Sequence, residues 1–307
     1  MKILVTGGAG FIGSHIVDAF LGLGHEVTII DSLITGQREN VNPRARFYEI
    51  DIRSKELAAI FAREKFEVVC HHAAQMDVRK SVDDPRYDAD VNIMGTLNLL
   101  ERARETGVRK FIFASSGGAM YGEQEKFPAD EEHRTWPASP YGITKLTCEK
   151  YIAFFGQNYN MSYVLLRYAN VYGPRQSPHG EAGVVAIFTS RLLAGQQPVI
   201  NGDGKQTRDY VYVHDVVKAN VAALNFTHSD YFNIGTGIET DVNELFQRLN
   251  AAAGQRAQEQ HAPAKAGEQL HSVLDAGKAK RLLHWQPATP FHQGLAETVS
   301  WFQERRK

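Results

Sequence analysis

The chain has 307 residues, a formal net charge of −1 and 43% hydrophobic residues, a length that suits one large domain with a smaller partner. A charge this close to zero gives no electrostatic case for binding nucleic acid or an anionic membrane surface. No apolar run approaches the roughly 20 residues of a membrane-spanning helix, so we expect no nucleic acid and no membrane among its partners.

The N-terminus and the cysteines indicate the compartment. The chain enters its first apolar run directly, without the pattern of a secretory signal peptide. Of the two cysteines, Cys70 lies in a buried-strand pattern and Cys148 in a helical pattern. We therefore expect both to be reduced packing residues of a cytoplasmic protein.

The beginning of the chain has the pattern of a nucleotide-binding unit. The apolar run Lys2–Thr6 predicts a buried strand, and Gly7-Gly8-Ala9-Gly10-Phe11-Ile12-Gly13 follows at once. The amphipathic stretch Ser14–Leu23 predicts a helix, and Glu26–Ile30 predicts a second strand that ends in Asp31. Strand, glycine-rich turn, helix and acid thus stand in the order that a dinucleotide requires.

Glycine is needed in that turn for physical reasons. It permits a tight turn, a close approach of the backbone to a pyrophosphate, and close packing of helix on strand. The pyrophosphate would then lie on free N–H groups at the helix N-terminus. Asp31 is placed to accept hydrogen bonds from a ribose diol and would repel a 2′-phosphate, which favours NAD over NADP. A purely structural glycine turn is the alternative.

Strands and helices continue to alternate along the chain. Further strands are expected near Arg46–Ile50, Val68–His71, Lys110–Ala114 and Ser162–Arg167, and helices near Lys55–Lys65, Tyr87–Glu105 and Pro140–Gln157. This alternation predicts an α/β fold with a doubly wound parallel sheet of the Rossmann type. Beyond Tyr172 the pattern loosens. We expect an NAD-binding domain over residues 1–172 and a smaller, mainly substrate-binding α/β domain over 173–307, with elements near 205–235 crossing back.

A second motif, Tyr141-Gly-Ile-Thr-Lys145, follows Ser139-Pro140. Pro140 suits the first turn of a helix, so Tyr141 lies near its start and Lys145 one turn later on the same face. A lysine cation there, beside a positively charged nicotinamide, would lower the tyrosine pKa from its usual value of about 10. The phenolate could then take a proton from a substrate hydroxyl as hydride leaves for NAD. The same spacing is common on ordinary helices, and the nucleotide-binding unit before it favours the functional interpretation.

A third motif, Ser115-Ser116-Gly117-Gly118, ends the strand Lys110–Ala114. Ligands of such sheets bind at the carboxyl ends of the strands. A serine hydroxyl there can hydrogen-bond both a substrate oxygen and the tyrosine, and we favour Ser116 over Ser115 for that position. A Ser/Gly loop that only turns out of the sheet is the alternative.

Together these motifs resemble the extended short-chain dehydrogenase/reductase family, and among its nucleotide-sugar enzymes they are most similar to the UDP-galactose 4-epimerases. The resemblance covers nearly the whole chain and implies NAD as the cofactor. The cofactor-binding residues that it implies, together with those named above, are Gly7, Gly10, Phe11, Ile12, Gly13, Asp31, Asp51, Ile52, His72, Ala73, Ala74, Gln75, Asn92, Ser115, Tyr141, Lys145 and Tyr168.

The resemblance also implies where the nucleotide sugar binds. It places Asn170 and Arg208 at the nucleotide diphosphate, and a planar guanidinium is a good bidentate clamp for oxyanions. Lys265 stands where many members have a diphosphate-binding arginine, which keeps the charge and loses the bidentate geometry. For Asn170 a turn-forming role is the alternative, and for Arg208 an ordinary surface position. His271 replaces another frequent arginine, and a solvated or packing histidine is the alternative there.

Ser272 bears on the choice of sugar. The matching position in the family can carry a bulky side chain that narrows the pocket around the C2 substituent. A serine leaves more room and adds a hydroxyl able to meet an amide. We therefore expect UDP-N-acetylhexosamines to be accepted as well as UDP-glucose and UDP-galactose.

The expected function is NAD-dependent 4-epimerisation of UDP-sugars, an isomerase reaction with Tyr141, Lys145 and Ser116 as the catalytic residues. Dehydratases and decarboxylases of the family carry acids where this chain has Gly117-Gly118, which disfavours elimination. A related epimerase of a uronic acid or pentose nucleotide, a net reductase, and a non-catalytic NAD-binding protein stay open as alternatives. No spacing of His or Cys residues indicates a metal site.

The two long helices bear on assembly. They carry apolar residues beyond those needed for one face, namely Leu97, Leu99, Leu100, Leu146, Ile152 and Phe155. In family members the equivalent helix pair forms an intersubunit four-helix bundle, so the resemblance implies a C2 homodimer. That these residues only cover the sheet is the alternative.

Overall fold

Seven parallel strands form the central sheet of the computed structural model, which describes residues 1–178, 183–264 and 269–305. These strands are β1 (Lys2–Thr6), β2 (Glu26–Asp31), β3 (Arg46–Glu49), β4 (Val68–His71), β5 (Lys110–Ser116), β6 (Ser162–Tyr168) and β10 (Asp230–Ile234). Their order across the sheet is β10-β6-β5-β4-β1-β2-β3. The chain winds away from β1 in both directions, and ligands of such sheets bind at this switch point.

The strands are apolar on both sides because both faces of the sheet are covered by helices. In β1, Ile3 and Val5 point into the core on one face, and Leu4 points into the core on the other. The helices are α1 (Phe11–Gly22), α2 (Leu57–Glu64), α3 (Val78–Asp83), α4 (Pro85–Ala89), α5 (Gly95–Thr106), α6 (Gly117–Met120), α7 (Pro140–Asn158), α8 (Val184–Leu193), α9 (Val213–Asn225), α10 (Val242–Ala252), α11 (Gly277–Leu282) and α12 (Phe291–Glu304). Helices α1 and α9 cover the first face, and α2, α5 and α7 cover the second. The doubly wound α/β fold is thus confirmed.

A smaller lobe contains a three-stranded sheet in the order β11-β9-β7, with β7 (Asn170–Tyr172), β9 (Thr207–Tyr212) and β11 (Glu239–Asp241). A second, two-stranded sheet pairs β8 (Ile200–Asn201) with β12 (His261–Ala262). Aromatic residues of β7 and β9 pack with α8, α10 and α12 in a core of their own. Strand β10 is an edge strand of the main sheet, and helix α9 packs on one face of that sheet. Both lie within the stretch 205–235 that was expected to cross back.

The main differences from the predicted elements lie near the site. The single helix predicted over Tyr87–Glu105 is divided into α4, one turn of π-helix at Asp90–Met94, and α5. Strand β5 extends two residues beyond its predicted end, through Ser116, and the short helix α6 follows it directly. A short π-helical turn of this kind is frequent at functional sites.

The apolar residues singled out on the two long helices divide into two groups. Leu99, Leu100, Ile152 and Phe155 are buried in the core between α5, α7 and the sheet. They cover the sheet, as the alternative interpretation had it, because the helices need that face for the monomer's own core. Leu97 and Leu146 are only partly buried.

Both cysteines are free and buried. Cys70 packs within the core on the α1 side of the sheet, and Cys148 on the α7 side. In the part of the chain that the structure describes, no helix combines the length and the apolar character needed to cross a membrane.

Candidate active site

The glycine-rich turn after β1 brings backbone segments into close contact. Gly7 has a φ of +70°, and a Cβ on it would lie 2.6 Å from the backbone nitrogen of Ala73. A Cβ on Gly13 would lie 2.2 Å from the carbonyl oxygen of Gly7. Gly10 caps α1 without a side chain, which leaves the N–H groups of the first turn available to an anion. This cradle fits a pyrophosphate.

Asp31 lies at the end of β2 beside that turn, and backbone donors hold its carboxylate. Oδ2 accepts a hydrogen bond from Ala9 N at 3.0 Å, and Oδ1 accepts one from Leu33 N at 2.9 Å. Burial raises the pKa of the Asp31 carboxyl, and the two backbone N–H groups oppose that shift. The acid therefore stands at the strand tip, where the ribose diol is expected.

Asp51 and Ile52 follow β3 and border the same edge of the sheet. Asp51 forms a bidentate ion pair with Arg53, with Oδ1–Nε at 2.9 Å and Oδ2–Nη2 at 2.7 Å, and this pair lowers the pKa of Asp51. Ile52 is buried against the start of α5, where a Cβ on Gly95 would lie 2.5 Å from Ile52 Cδ1. Their contact with the cofactor stays a prediction.

His72 and Tyr168, both expected at the cofactor, meet each other at the carboxyl ends of β4 and β6. His72 Nε2 and the Tyr168 hydroxyl are 3.0 Å apart, and that hydroxyl accepts a hydrogen bond from Asn220 Nδ2 at 2.8 Å. Burial lowers the pKa of His72 to about 3, so the ring is neutral at physiological pH. Among the described residues, no three His, Cys, Asp or Glu side chains are placed to hold a metal ion.

Asn92 lies in the π-helical turn between α4 and α5, and its side chain is buried. Its Oδ1 accepts a hydrogen bond from Gln75 N at 2.8 Å, and its Nδ2 donates to Gln75 O at 3.0 Å. Asn92 thus fixes both backbone groups of Gln75, at the end of the expected cofactor segment His72–Gln75. Its direct contact with the cofactor stays a prediction.

Helix α7 positions Tyr141 and Lys145. Ser139 caps the helix by accepting a hydrogen bond from Gly142 N at 3.2 Å, and Pro140 occupies the first turn. The Tyr141 side chain is hydrogen-bonded to Ser116 at the end of β5. Lys145 Nζ donates to the carbonyl oxygen of residue 114 at 2.8 Å and lies 5.8 Å from the centre of the Tyr141 ring. The three expected catalytic residues therefore meet at the carboxyl end of the sheet.

The protonation of this group is controlled mainly by burial. Burial raises the pKa of Tyr141, the hydrogen bond from Ser116 lowers it, and the charge of Asp88 raises it. Burial lowers the pKa of Lys145 to about 8, against the charges of Asp88 and Glu149 among others. The net shift of Tyr141 is upward, so Lys145 alone does not produce the lowered pKa expected from the sequence. The sequence-based expectation also included the positive charge of a bound nicotinamide, which would lower the pKa of Tyr141 further.

The two serines of the loop differ in their surroundings. Ser115 is buried, and its Oγ has no hydrogen-bond partner among the described residues. Ser116 is partly exposed to the cleft and pairs with Tyr141. The geometry favours Ser116 as the hydroxyl partner. Ser115 lies within the expected cofactor edge, where its unpaired Oγ is a polar group that a ligand could satisfy.

Gly118 connects this loop with the expected substrate residues. A Cβ on Gly117 would lie 2.6 Å from Leu274 Cδ1, so a side chain there would require Leu274 to move. A Cβ on Gly118 would lie 3.7 Å from Asn170 Oδ1 and 3.8 Å from Ser272 Oγ, which are ordinary contact distances. Asn170 and Ser272, far apart in sequence, therefore face the same space in front of the Ser116 loop.

The other expected substrate residues lie on or near β9. Arg208 is on β9, and its Nη1 donates to Thr207 O at 2.8 Å. His271 is half-exposed, and its Nδ1 lies 3.1 Å from Thr207 Oγ1 and 3.0 Å from Glu239 Oε1. These two contacts account for the position of His271 without a role in substrate binding. Lys265 lies outside the described residues.

Two buried carboxylates near the site were not singled out from the sequence. Asp88 lies behind α7 and accepts a hydrogen bond from Thr144 Oγ1 at 2.9 Å. Asp209 accepts hydrogen bonds from the backbone N–H groups of Thr236, Gly237 and Leu274. The signal for Asp88 is its position four residues before Asn92, which is one helical turn. The signal for Asp209 is its position between the other residues of strand β9.

Comparison with known proteins shows the family to which this chain is related. A profile of the NAD dependent epimerase/dehydratase family matches residues 3–235. A UDP-glucose 4-epimerase from Thermotoga maritima, solved with UDP-glucose, is 49% identical with a TM-score of 0.98, over 100% of both chains. A UDP-glucose 4-epimerase from Thermus thermophilus, solved with NAD, is 45% identical with a TM-score of 0.94, over 99% of both chains. A UDP-N-acetylglucosamine 4-epimerase from Methanobrevibacter ruminantium, solved with UDP-N-acetylmuramic acid, is 35% identical with a TM-score of 0.94, over 99% of this chain and 98% of its own.

Proposed function

Because the chain belongs to the NAD dependent epimerase/dehydratase family, we propose that it is an isomerase that inverts C4 of UDP-sugars with NAD as its cofactor. One observation carries this assignment more than any other. The hydroxyl of Ser116 meets Tyr141 at the carboxyl end of the sheet, with Lys145 one turn further along the same helix. Binding alone does not require this group of residues.

Tyr141 is the proton acceptor and donor of the reaction. It takes the proton of the C4 hydroxyl as C4 gives up hydride, which leaves a 4-keto sugar, and it returns the proton to the C4 oxygen when hydride comes back to the other face of the sugar. Bound NAD supplies reversible hydride acceptance at C4. Ser116 orients the hydroxyl and donates to the phenolate oxygen. Lys145 supplies positive charge below the tyrosine ring and a donor for the nicotinamide ribose.

The residues present fit NAD. A Cβ does not fit at Gly7 or Gly13, as expected for a turn that brings the backbone close to a pyrophosphate, and the helix N-terminus behind it favours a negative charge. Asp31 would accept hydrogen bonds from the ribose diol and repel a 2′-phosphate. Asp51, Ile52 and the segment 72–75 line the same edge of the sheet.

The substrate side fits a UDP-sugar with a variable C2 substituent. Asn170, Arg208 and Lys265 bind the diphosphate in this proposal. The side chains that a Cβ on Gly118 would contact are the small ones of Asn170 and Ser272, which supports turnover of UDP-N-acetylhexosamines as well as UDP-glucose and UDP-galactose.

The protein assembles as a C2 homodimer in this proposal. Large apolar side chains stand exposed on α7 and on the adjacent π-helical turn, namely Met94, Ile143, Tyr151 and Phe154. Leu97 and Leu146 are partly buried beside them. A second copy packed against this face would remove these side chains from water.

The compartment of this proposal is the cytoplasm. Its support is the state of the two thiols, Cys70 and Cys148, which are both free and buried in the core. Reduced structural cysteines are typical of cytoplasmic proteins.

A panel of UDP-sugars tests the function. The purified protein is incubated with UDP-glucose, UDP-N-acetylglucosamine, UDP-glucuronate and UDP-xylose, and the configuration at C4 is followed by proton NMR while NADH is followed by absorbance. We expect C4 inversion of UDP-glucose and UDP-N-acetylglucosamine without net change in NADH. Stoichiometric consumption of NADH would indicate a net reductase, and binding without turnover would indicate a non-catalytic protein. Inversion of only the acid or the pentose would overturn the substrate assignment.

A further inference from the structure

A buried carboxylate lies behind the catalytic helix, away from the space open to substrate. Asp88, on α4, is fully buried. Its Oδ1 accepts hydrogen bonds from Gln75 Nε2 at 2.8 Å and Asn92 Nδ2 at 3.1 Å, and its Oδ2 accepts one from Thr144 Oγ1 at 2.9 Å. All three donors are neutral. A carboxylate in such a place is costly unless a positive charge compensates it.

The contacts of Asp88 join two parts of the site. Thr144 is the residue before Lys145 on α7 and is buried. Gln75 ends the cofactor segment, and Asn92 holds its backbone N–H and carbonyl. Asp88 is therefore the common acceptor between the catalytic helix and the cofactor segment.

The compensating charge is the ammonium group of Lys145. Burial raises the pKa of Asp88, and the hydrogen bonds from Thr144 and Gln75 and the charge of Lys145 oppose that shift. Burial lowers the pKa of Lys145, and the charge of Asp88 is among those that oppose that shift. Asp88 on α4 and Lys145 on α7 are both buried, so each charge partly offsets the cost of burying the other.

Other titratable groups act on Lys145, but they are neutral or already paired. They are Tyr141, Cys148, Glu149, His71 and His72. Glu149 forms a buried bidentate ion pair with Arg167, at 2.7 and 3.0 Å. Burial raises the pKa of Cys148 and lowers the pKa of both histidines, which keeps all three neutral. Glu149 is thus neutralised by Arg167, whereas the side chains that donate to Asp88 are all neutral. Among the described residues, the negative charge of Asp88 is therefore the one that offsets the charge of Lys145.

We propose that Asp88 is a positioning residue of the epimerisation: it ties Thr144 on the catalytic helix to Gln75 on the cofactor segment, and its negative charge keeps Lys145 protonated. This inference rests on the proposed function, since it assigns Asp88 a part in the same reaction. Asp88 acts through Thr144 and Lys145 and does not touch the reacting atoms.

Two variants separate the effect of the negative charge of Asp88 from the effect of its hydrogen bond with Thr144. In Asp88→Asn the side-chain oxygen can accept from Gln75 and Asn92 while its NH2 donates to Thr144 Oγ1, whose hydroxyl can turn to Tyr141 O at 2.9 Å. The contacts are kept and the charge is lost. Thr144→Val removes the link to α7 and leaves the charge in place.

The sign of the pH effect follows from the cited shifts. Asp88 raises the pKa of both Lys145 and Tyr141, so removal of its charge lowers both. The limbs of the rate profile that depend on these two groups therefore both move to lower pH in Asp88→Asn. In Thr144→Val the limbs stay in place and kcat falls about tenfold, because α7 loses an anchor near the reacting group.

The experiment measures kcat and kcat/KM for UDP-galactose against pH in the wild type and both variants, with thermal unfolding as the check on folding. Heteronuclear NMR of labelled lysine, assigned through Lys145→Arg, gives the pKa of Lys145 without turnover. An acid-shifted profile and a lowered Lys145 pKa in Asp88→Asn support the proposal. An unmoved profile and pKa in a folded Asp88→Asn variant of an active enzyme overturn this inference alone. A wild-type protein that does not epimerise overturns the proposed function, and the inference with it.

Discussion

The cofactor side and the substrate side of the cleft are built in different ways. On the cofactor side, Asp31, Ser116 and Tyr168 lie at the carboxyl ends of parallel strands of one sheet. On the substrate side, Asn170 and Arg208 lie on short strands, and Ser272 lies in an irregular segment. The first arrangement follows from the regular alternation of strands and helices, and the second depends on contacts between distant loops.

Asp209 shows how the substrate side is held. Its buried carboxylate accepts hydrogen bonds from backbone N–H groups of the turn 236–237 and from Leu274. In addition, its own N–H donates to Ser272 O at 2.9 Å. One acid thus fixes the segment that carries Ser272, whereas the cofactor side is held by the hydrogen bonds of the sheet itself.

Because the cofactor side and the substrate side are held by separate contacts, we expect Tyr141→Phe to stop the chemical step without changing the structure of either side. We expect turnover to fall by about 10²- to 10⁴-fold, because only the proton acceptor is lost, while the affinities for NAD and UDP-sugar stay near those of the wild type. The measurement is kcat together with calorimetric titration of both ligands. Tyr151→Phe, on the exposed side of the same helix, is the matched control. Wild-type turnover in Tyr141→Phe would remove its assigned role.

Asp209→Ala should damage the substrate side selectively. It leaves three backbone N–H groups without their acceptor, so we expect the free energy of unfolding to fall by about 2–3 kcal/mol and UDP-sugar to bind more weakly. NAD affinity should be kept. Asp203→Ala, an exposed turn acid in the same lobe, is the control, with a change within about 0.5 kcal/mol. Equal losses in the two variants would show that Asp209 does not hold this side together.

The pair Ser116→Ala and Ser115→Ala tests the end of β5. Removal of the hydroxyl that meets Tyr141 should lower kcat by about 10- to 100-fold, a part of the usual contribution of proton-transfer catalysis. Ser115→Ala should leave kcat near the wild-type value, because its Oγ has no partner among the described residues. If Ser115→Ala shows the larger loss in kcat, the two serines have been assigned in the wrong order.

Asp31→Ala addresses the choice of cofactor. Loss of the carboxylate removes the expected acceptor of the ribose diol and the repulsion of a 2′-phosphate, so the preference for NAD over NADP should narrow by about tenfold. Fluorescence titration with both dinucleotides measures it, and Glu26→Ala, at the exposed start of the same strand, is the control. A wild-type protein that already prefers NADP would contradict this assignment of Asp31.

Ser272→Tyr should have the smallest effect on overall activity and the sharpest effect on selectivity. A bulky side chain in the space shared with Gly118 and Asn170 should suppress N-acetyl substrates by steric exclusion while UDP-glucose is still converted. The ratio of kcat/KM for UDP-N-acetylglucosamine and UDP-glucose is the measurement, with Ser272→Ala as the control that keeps the space. An unchanged ratio in Ser272→Tyr would show that position 272 does not control access.

The sequence predicts the strands, the turn and the helices of the cofactor side because their signals are local. The glycine turn, the acid at the end of β2 and the spacing of Tyr141 and Lys145 each follow from the period of one strand or one helix. The π-helical turn at Asp90–Met94 and the short helix α6 were missed, because neither interrupts the hydrophobic pattern around it. The burial of Tyr141, which raises its pKa, could not be predicted either, since burial depends on residues from several elements.

The substrate side was predictable only through the family resemblance. The proximity of Ser272 to Gly118 and Asn170 is created by the backbone contacts of Asp209 with residues 236, 237, 272 and 274. No periodicity along the chain reveals such contacts. A buried acid such as Asp88, satisfied by side chains from three segments, escapes a reading of single motifs for the same reason.

The most direct test of the mechanism follows the hydrogen at C4. UDP-glucose that carries deuterium at C4 is converted by the wild-type protein in ordinary water, and the product is analysed by NMR and mass spectrometry. We expect UDP-galactose that retains the deuterium at C4, without net NADH, because the same hydrogen leaves and returns within one site. Replacement of the deuterium by solvent hydrogen, or its stoichiometric transfer to released cofactor, would contradict epimerisation through a 4-keto sugar at this site.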